Sequence, residues 1–134
     1  MIVADTNLIL RLYLDGEWTG QSEAVLRKDG VWAAPLLWRS EFRNTLVTLI
    51  HAGELDLETA TAIMDDAERR MSECEYPVVS QRVVELAVGS GCSGYDCEFV
   101  ALAEALQTPL VTSERRLLRA FPRITVAPEA FGRS

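Results

Sequence analysis

Histidine and cysteine are scarce in this sequence of 134 residues, and their scarcity excludes two kinds of site. There is one histidine, His51, and there are three cysteines, Cys74, Cys92 and Cys97. The spacing of the last two cysteines fits neither a C-x-x-C zinc site nor a thioredoxin-type redox motif. Because an odd number of cysteines also does not suit a disulfide framework, we expect reduced thiols, as in a cytosol.

Positive charge is scarce as well, which excludes a protein that coats nucleic acid by bulk electrostatics. The chain has 13 Lys and Arg residues against 20 Asp and Glu residues, and its net charge is −7. Lys28 is the only lysine, and the other basic residues are arginines, which bind phosphate or carboxylate through two parallel hydrogen bonds. Any contact with nucleic acid must therefore be local. The acidic balance also suits a basic partner segment.

Long apolar runs are absent from the sequence, and so is the pattern of a signal peptide. No stretch approaches the roughly 18 apolar residues of a membrane span, and Met1 leads directly into a strand-like run. We therefore expect a cytoplasmic protein. Apolar residues make up 49% of the chain and charged residues 25%, the balance of a globular protein, and we assign residues 1–134 to one domain.

Short strand-like segments alternate with helical segments along the chain. Strands are predicted at residues 2–4, 31–34, 76–79, 109–112 and 124–126. Helices are predicted after Asp5 and at residues 22–28, 35 to about 53, 56 to about 71, around 83–87, from about 95, and at 114–120. Pro35 would begin the third of these helices and Asp56 would be the N-cap of the fourth. In the fifth, the residues expected to face inward are Val83, Val84, Leu86 and Ala87, and a loop at 89–94 follows it. This alternation predicts an α/β fold with a mainly parallel central sheet flanked by helices, an α/β/α sandwich.

Four carboxylates are placed where such a fold would bring them together. Asp5 directly follows the first strand, and Glu114 comes two residues after Thr112, at the end of a later strand. Asp96 opens the most apolar helix, and Glu41 lies in the second turn of another. Taken singly, each acid also fits a helix cap or an exposed helix position. Taken together, they form a set of hard oxygen ligands that suits Mg²⁺ or Mn²⁺ better than Zn²⁺.

The order of these acids and of the residues around them resembles a known family. The matching segments are residues 1–7 (MIVADTN), 40–44 (SEFRN), 95–96 (YD), 100–104 (VALAE) and 110–117 (LVTSERRL). They look like the successive motifs of PIN domains, and the resemblance spans essentially the whole chain. It is closest to the VapC-like toxin ribonucleases of type II toxin–antitoxin systems, which implies a PIN-like version of the predicted fold.

The resemblance implies a role for each residue of the site. The catalytic and metal-binding acids would be Asp5, Glu41, Asp96 and Glu114, although the family usually has Asp where this sequence has Glu114. Polar residues that would hold the acids or their waters by hydrogen bonds are Thr6, Asn7 and Thr112. The candidates for RNA contact are Arg43, Arg115 and Arg116.

The implied activity is that of an endoribonuclease dependent on Mg²⁺ or Mn²⁺. The expected reaction hydrolyses a phosphodiester bond of unpaired RNA by in-line attack of a metal-activated water. The resemblance also implies a cognate antitoxin, which places an Arg among the carboxylates, and a homodimer. The alternative is a noncatalytic PIN-like module that binds RNA or protein and whose metal site is weakened by Glu114. A receiver domain is a poorer match because Lys28 is not near Thr112 in the sequence.

Overall fold

The computed structural model describes residues 1–133, in which short strands alternate with helices. The strands are β1 (Ile2–Ala4), β2 (Trp32–Pro35), β3 (Glu75–Tyr76), β4 (Leu110–Val111) and β5 (Thr125–Val126). The helices are α1 (Thr6–Leu10), α2 (Thr19–Lys28), α3 (Leu37–His51), α4 (Leu57–Met71), α5 (Ser80–Ser90), α6 (Gly94–Leu106), α7 (Arg115–Ala120) and α8 (Pro128–Arg133).

The strands form one parallel sheet in the order β3-β2-β1-β4-β5. β1 lies at the centre, with Val3 paired to Ala33 of β2 on one side and to Leu110 of β4 on the other. Because all the strands run in the same direction, their carboxyl ends meet at one edge of the sheet, where α/β folds place their functional crevices. The predicted α/β/α fold with a parallel sheet is confirmed.

The core of the molecule is built around β1 and α6. All three residues of β1 are buried, and α6 contacts β1, β2 and β4. The buried residues of α6 are Cys97, Phe99, Val100, Ala101, Leu102 and Ala103, in keeping with its largely apolar sequence. All three cysteines are free thiols, as expected. Within residues 1–133 no helix combines the length and the apolar character that crossing a membrane requires.

The structure corrects the predicted boundaries on the β3 side of the sheet. Pro35 is the last residue of β2 and not a first-turn residue of α3, which begins at Leu37. Pro35 has no N–H to donate to the ladder, and β2 ends at this residue. The strand predicted at 76–79 is instead Glu75–Tyr76, since Pro77 cannot donate to the ladder.

The prediction for α5 was wrong in two respects. Val84 does not face inward: its side chain is 60% exposed, whereas Val83 and Leu86 are buried, because successive residues of a helix point about 100° apart. The helix also continues through Gly89 to Ser90 and ends at Gly91, whose φ of 77° is the left-handed conformation of a helix C-cap. The C-terminal helix α8 was not predicted at all.

Candidate active site

The four predicted carboxylates line one cavity at the carboxyl edge of the sheet. The cavity has a volume of about 250 Å³ and is lined by Asp5, Thr6, Asn7, Glu41, Asn44, Thr45, Asp96 and Glu114. Asp5 follows the central strand β1, and Glu114 follows the neighbouring strand β4. The other two acids come from helices α3 and α6. The topology of the sheet therefore brings together side chains that lie far apart in the sequence.

Asp5 is the most constrained of these acids. It is the N-cap of α1, and its Oδ1 accepts a hydrogen bond of 2.8 Å from the backbone N–H of Thr6. Its Oδ2 accepts a hydrogen bond of 2.5 Å from Thr112 Oγ1. The backbone N–H of Asp5 also donates to the carbonyl of Val111 in β4. Both the backbone and the carboxylate of Asp5 are thus fixed relative to β4.

Thr112 links two of the acids by hydrogen bonds. Its side chain is buried, and its hydroxyl donates to Asp5 while accepting a hydrogen bond of 3.0 Å from the backbone N–H of Glu114. Glu114 is the N-cap of α7, where its own Oε1 accepts from the backbone N–H of Arg116 at 3.4 Å. The hydroxyl of Thr112 therefore sets the position of Asp5 and the start of the turn that carries Glu114.

Glu41 is held by the first residue of α1. The hydroxyl of buried Thr6 donates to Glu41 Oε1 over 2.7 Å. Asp5 and Thr6 are neighbours in the chain. The same short segment therefore carries one acid, Asp5, and holds a second, Glu41, through the hydroxyl of Thr6. This hydrogen bond also couples α1 to α3.

Asp96 lies in the first turn of α6, behind a serine cap. The backbone N–H of Asp96 donates to Ser93 Oγ at 3.0 Å, so the side chain of Ser93 starts the helix. The carboxylate of Asp96 experiences the negative charge of Glu114 and, more weakly, the positive charge of Arg116.

Burial and mutual repulsion disfavour the ionised forms of three of the acids. Burial is the largest cause of the raised pKa of Asp5, of Glu41 and of Asp96. Neighbouring acids raise each pKa further: Asp96 and Glu114 act on Asp5, and Glu114 acts on Asp96. The hydroxyls of Thr112 and Thr6 lower the pKa values of Asp5 and Glu41 but do not cancel the effect. The cavity is thus a region where positive charge from a ligand is favourable.

The donor set fits a hard divalent cation in its chemistry. It consists of carboxylate, hydroxyl and amide oxygens, with neither histidine nor cysteine among the lining residues. Within residues 1–133, however, no three His, Cys, Asp or Glu side chains lie close enough together to hold one ion. The kinds of donor atom therefore match a hard cation, although the described carboxylates are not already grouped around one ion.

The three arginines predicted to contact RNA lie in different places in the structure. Arg116 acts electrostatically on Asp96, whereas Arg43 is exposed on α3 and does not line the cavity. Arg115 lines a neighbouring cavity instead. The predicted polar residues Thr6 and Asn7 do line the acidic cavity.

Sequence reasoning missed two lining residues and one nearby acid. Asn44 and Thr45 line the cavity, and their spacing of three and four residues from Glu41 on a helix was the available signal. Glu98 raises the pKa of Glu41 from the next turn of α6. The sequence offered no signal for Glu98, since its proximity to Glu41 depends on how α3 and α6 pack.

Comparisons with known proteins identify both sequence relatives and a structural neighbour. The chain is 32% identical over 119 residues to VapC ribonuclease Mb0985 of Mycobacterium bovis, and the alignment covers 87% of this chain and 88% of the relative. Ribonuclease VapC9 from two strains of Mycobacterium tuberculosis gives the same values. The crystal structure of PAE2754 from Pyrobaculum aerophilum has the same fold, with a TM-score of 0.78 over 98% of this chain and 85% of that one, at 19% identity. No model of a protein family matches the sequence.

Proposed function

The chain belongs to the VapC-like PIN-domain family, and on that premise we propose that it is a metal-dependent endoribonuclease, the toxin of a toxin–antitoxin module. The observation that carries the proposal is the cavity of four carboxylates, three of which have raised pKa values. No ion pair formed within residues 1–133 involves any of the four. An acidic cavity without its own cation is suited to binding one.

The residues that would hold Mg²⁺ or Mn²⁺ are Asp5, Glu41, Asp96 and Glu114. When bound, such an ion acts as a Lewis acid that activates water and neutralises charge on the phosphate. The hydroxyls of Thr6 and Thr112 orient Glu41 and Asp5, and so limit the rotamers that these acids adopt. Asn44 adds an uncharged hydrogen-bond donor to the same cavity, where a phosphate oxygen would accept from its side-chain amide. The hydroxyl of Thr45 already donates to the backbone carbonyl of Glu41 at 3.2 Å.

The proposed substrate is RNA, because the curated relatives are named ribonucleases. An unpaired strand suits an open cavity better than a duplex does, since the backbone must reach the acids. We further propose a basic antitoxin that inserts an Arg among the carboxylates and competes with metal; the net charge of −7 supports such a partner. Membership of the family also supports a homodimer, which light scattering would detect as twice the 14.9 kDa of one chain.

The proposal is tested by cleavage of single-stranded RNA by the purified protein. We expect cleavage with Mg²⁺ or Mn²⁺, none with EDTA, and its loss in Asp5→Asn and Asp96→Asn. The matched control is Asp65→Asn, which makes the same change at an exposed position of α4 outside the cavity. Cleavage that persists in Asp5→Asn or Asp96→Asn would contradict the assignment of the site.

A noncatalytic RNA- or protein-binding module is the second candidate. Two observations favour it: no three acids approach closely enough to hold one ion within residues 1–133, and Glu114 uses a carboxylate oxygen to cap α7. This candidate predicts that no RNA is cleaved at any concentration of Mg²⁺ or Mn²⁺. In that case the Asp5 and Asp96 variants would behave like the unmodified protein in the cleavage assay.

A further inference from the structure

A second cavity lies next to the acidic one. It has a volume of about 300 Å³, at the lower end of the range for small-ligand sites. The residues that line it and matter here are Arg11, Trp18, Gln21, Ser113, Arg115 and Glu129. Ser113 and Arg115 flank Glu114, which lines the acidic cavity. One short segment of chain therefore separates the two cavities.

Trp18 is the unusual residue of this second cavity. Its side chain is 46% exposed, whereas the other two tryptophans, Trp32 and Trp38, are 3% and 0% exposed and belong to the core. The guanidinium of Arg11 lies over the ring of Trp18, 5.1 Å from its centroid, and donates to Ser113 Oγ at 3.0 Å. Arg11 thus connects the exposed ring of Trp18 to Ser113, the residue before Glu114. A large aromatic side chain supported by arginine is the platform on which proteins stack unpaired bases.

The polar groups around Trp18 suit a base, because Glu129 offsets the attraction of Arg115 for a bare phosphate. Within residues 1–133 the side chain of Arg115 has neither a hydrogen-bond nor an ion-pair partner, so it is available to a ligand. Gln21 and Glu129 provide an amide and a carboxylate, groups that recognise the hydrogen-bonding edges of bases. Glu129 would repel a phosphate held in the same place. An acidic protein also gains little from bulk attraction to RNA and depends on such local contacts.

We propose that this cavity binds an unpaired nucleobase of the RNA strand by stacking it on Trp18, adjacent to the phosphate at the acidic cavity. The inference rests on the proposed ribonuclease function and adds a substrate-binding subsite to it. Trp18 is here a binding residue and takes no part in the hydrolysis.

The test measures RNA binding in EDTA, so that the strand is not cleaved. The probes are a fluorescein-labelled single-stranded RNA and an abasic strand of the same length, which keeps the phosphates and lacks the bases. Trp18→Ala should weaken binding of the RNA by roughly 5- to 150-fold, the range found for one base stacked on an aromatic ring. Trp18→Phe should retain most of the affinity. The control Leu57→Ala, which truncates an exposed apolar residue of α4, should bind like the unmodified protein.

Tryptophan fluorescence gives a second readout, because Trp18 is the tryptophan that solvent and ligands reach. RNA should quench the emission of the unmodified protein, and the abasic strand should not. The proposal is overturned if Trp18→Ala binds the RNA as tightly as the unmodified protein, or loses affinity for both strands equally. If RNA affinity is unchanged and a synthetic arginine-containing peptide binds less well, the cavity serves a protein partner and the nucleobase proposal fails.

Failure of the subsite and failure of the ribonuclease are distinguishable. A protein that cleaves RNA in Mg²⁺ but whose RNA affinity does not depend on Trp18 is a ribonuclease without this subsite. A protein that binds RNA through Trp18 but cleaves none has the subsite and is not a ribonuclease.

Discussion

Two clusters of acids lie on different sides of α3, and they are built on opposite principles. The first is the acidic cavity, which α3 joins through Glu41. The second, which we call the Arg39 cluster, consists of Arg39, Glu68, Glu75 and the indole of Trp38. Arg39 and Glu41 are two residues apart, a spacing at which helix side chains do not face each other. One helix therefore serves both clusters without mixing them.

The Arg39 cluster contains its own cation. Glu75 accepts from Arg39 Nε at 2.6 Å, from Arg39 Nη2 at 2.8 Å and from the indole N–H of Trp38 at 2.7 Å. Arg39 also pairs with Glu68 of α4. The hydrogen bonds from Arg39 are the main cause of the lowered pKa of Glu75, whose side chain is only 8% exposed. This cluster ties β3 and α4 to the start of α3.

The contrast separates acids that are paired with a cation inside the protein from acids that are not. In the Arg39 cluster both carboxylates pair with Arg39, and the ionised form of Glu75 is favoured. In the acidic cavity the partners are hydroxyls and backbone N–H groups, and burial together with repulsion disfavours ionisation. Such an arrangement costs stability in the free protein. The cost is understandable if a cation or a cationic side chain enters the cavity.

The largest expected effect is on activity, and it uses the same substitution in both clusters. We expect Glu41→Gln to reduce kcat/KM for RNA cleavage by at least roughly 100-fold, because substitutions even of outer partners of metal ligands cost about 10- to 100-fold. Glu75→Gln should stay within a few-fold of the unmodified protein at a temperature where it is folded. The measurement is cleavage kinetics on single-stranded RNA with Mg²⁺ or Mn²⁺. Equal losses in the two variants would show that the clusters do not differ in role.

The next effect is on stability, where the same two substitutions should change the free energy of unfolding in opposite directions. Glu75→Gln weakens a nearly buried, bidentate ion pair, and we expect it to lower the free energy of unfolding by about 2–3 kcal/mol. Glu41→Gln removes an unfavourable charge while Gln still accepts from Thr6, and we expect a gain of about 0.5–1 kcal/mol. Urea unfolding in EDTA measures both. A destabilised Glu41→Gln would contradict our description of the acidic cavity.

The sequence predicted the acidic cavity better than it predicted the Arg39 cluster. Asp5 and Glu114 follow strands directly, so a parallel sheet alone brings them to one edge. Glu75, in contrast, lies in a two-residue strand whose position the sequence placed too late, and its partnership with Arg39 depends on the packing of β3 beside β2. The exposed Trp18 shows the same limit, since its contact with Arg11 arises from a loop whose path has no periodic signal. Contacts set by chain direction were predictable, and those set by packing angles were not.

The smallest effect is the pH dependence of stability. Glu41 and Glu75 should change the free energy of unfolding over different ranges of pH. The ordinary pKa of a glutamate is 4.5, and Glu41 lies above it whereas Glu75 lies below it in the folded protein. A raised pKa means that the folded state binds the proton first on acidification, so the penalty of charged Glu41 disappears between its folded pKa and 4.5. A lowered pKa means that the stabilisation from Glu75 persists down to about 4.5 and is lost below it.

When a metal-free solution is acidified from pH 7, each variant should approach the unfolding free energy of the unmodified protein, and the two should do so at different pH values. The advantage of Glu41→Gln over the unmodified protein should vanish first, above pH 4.5. The deficit of Glu75→Gln should remain constant to about pH 5 and shrink below 4.5. Urea titrations at half-unit steps of pH would resolve the order. If the deficit of Glu75→Gln closed first, the contrast between a cluster that contains its own cation and one that awaits a cation would be wrong.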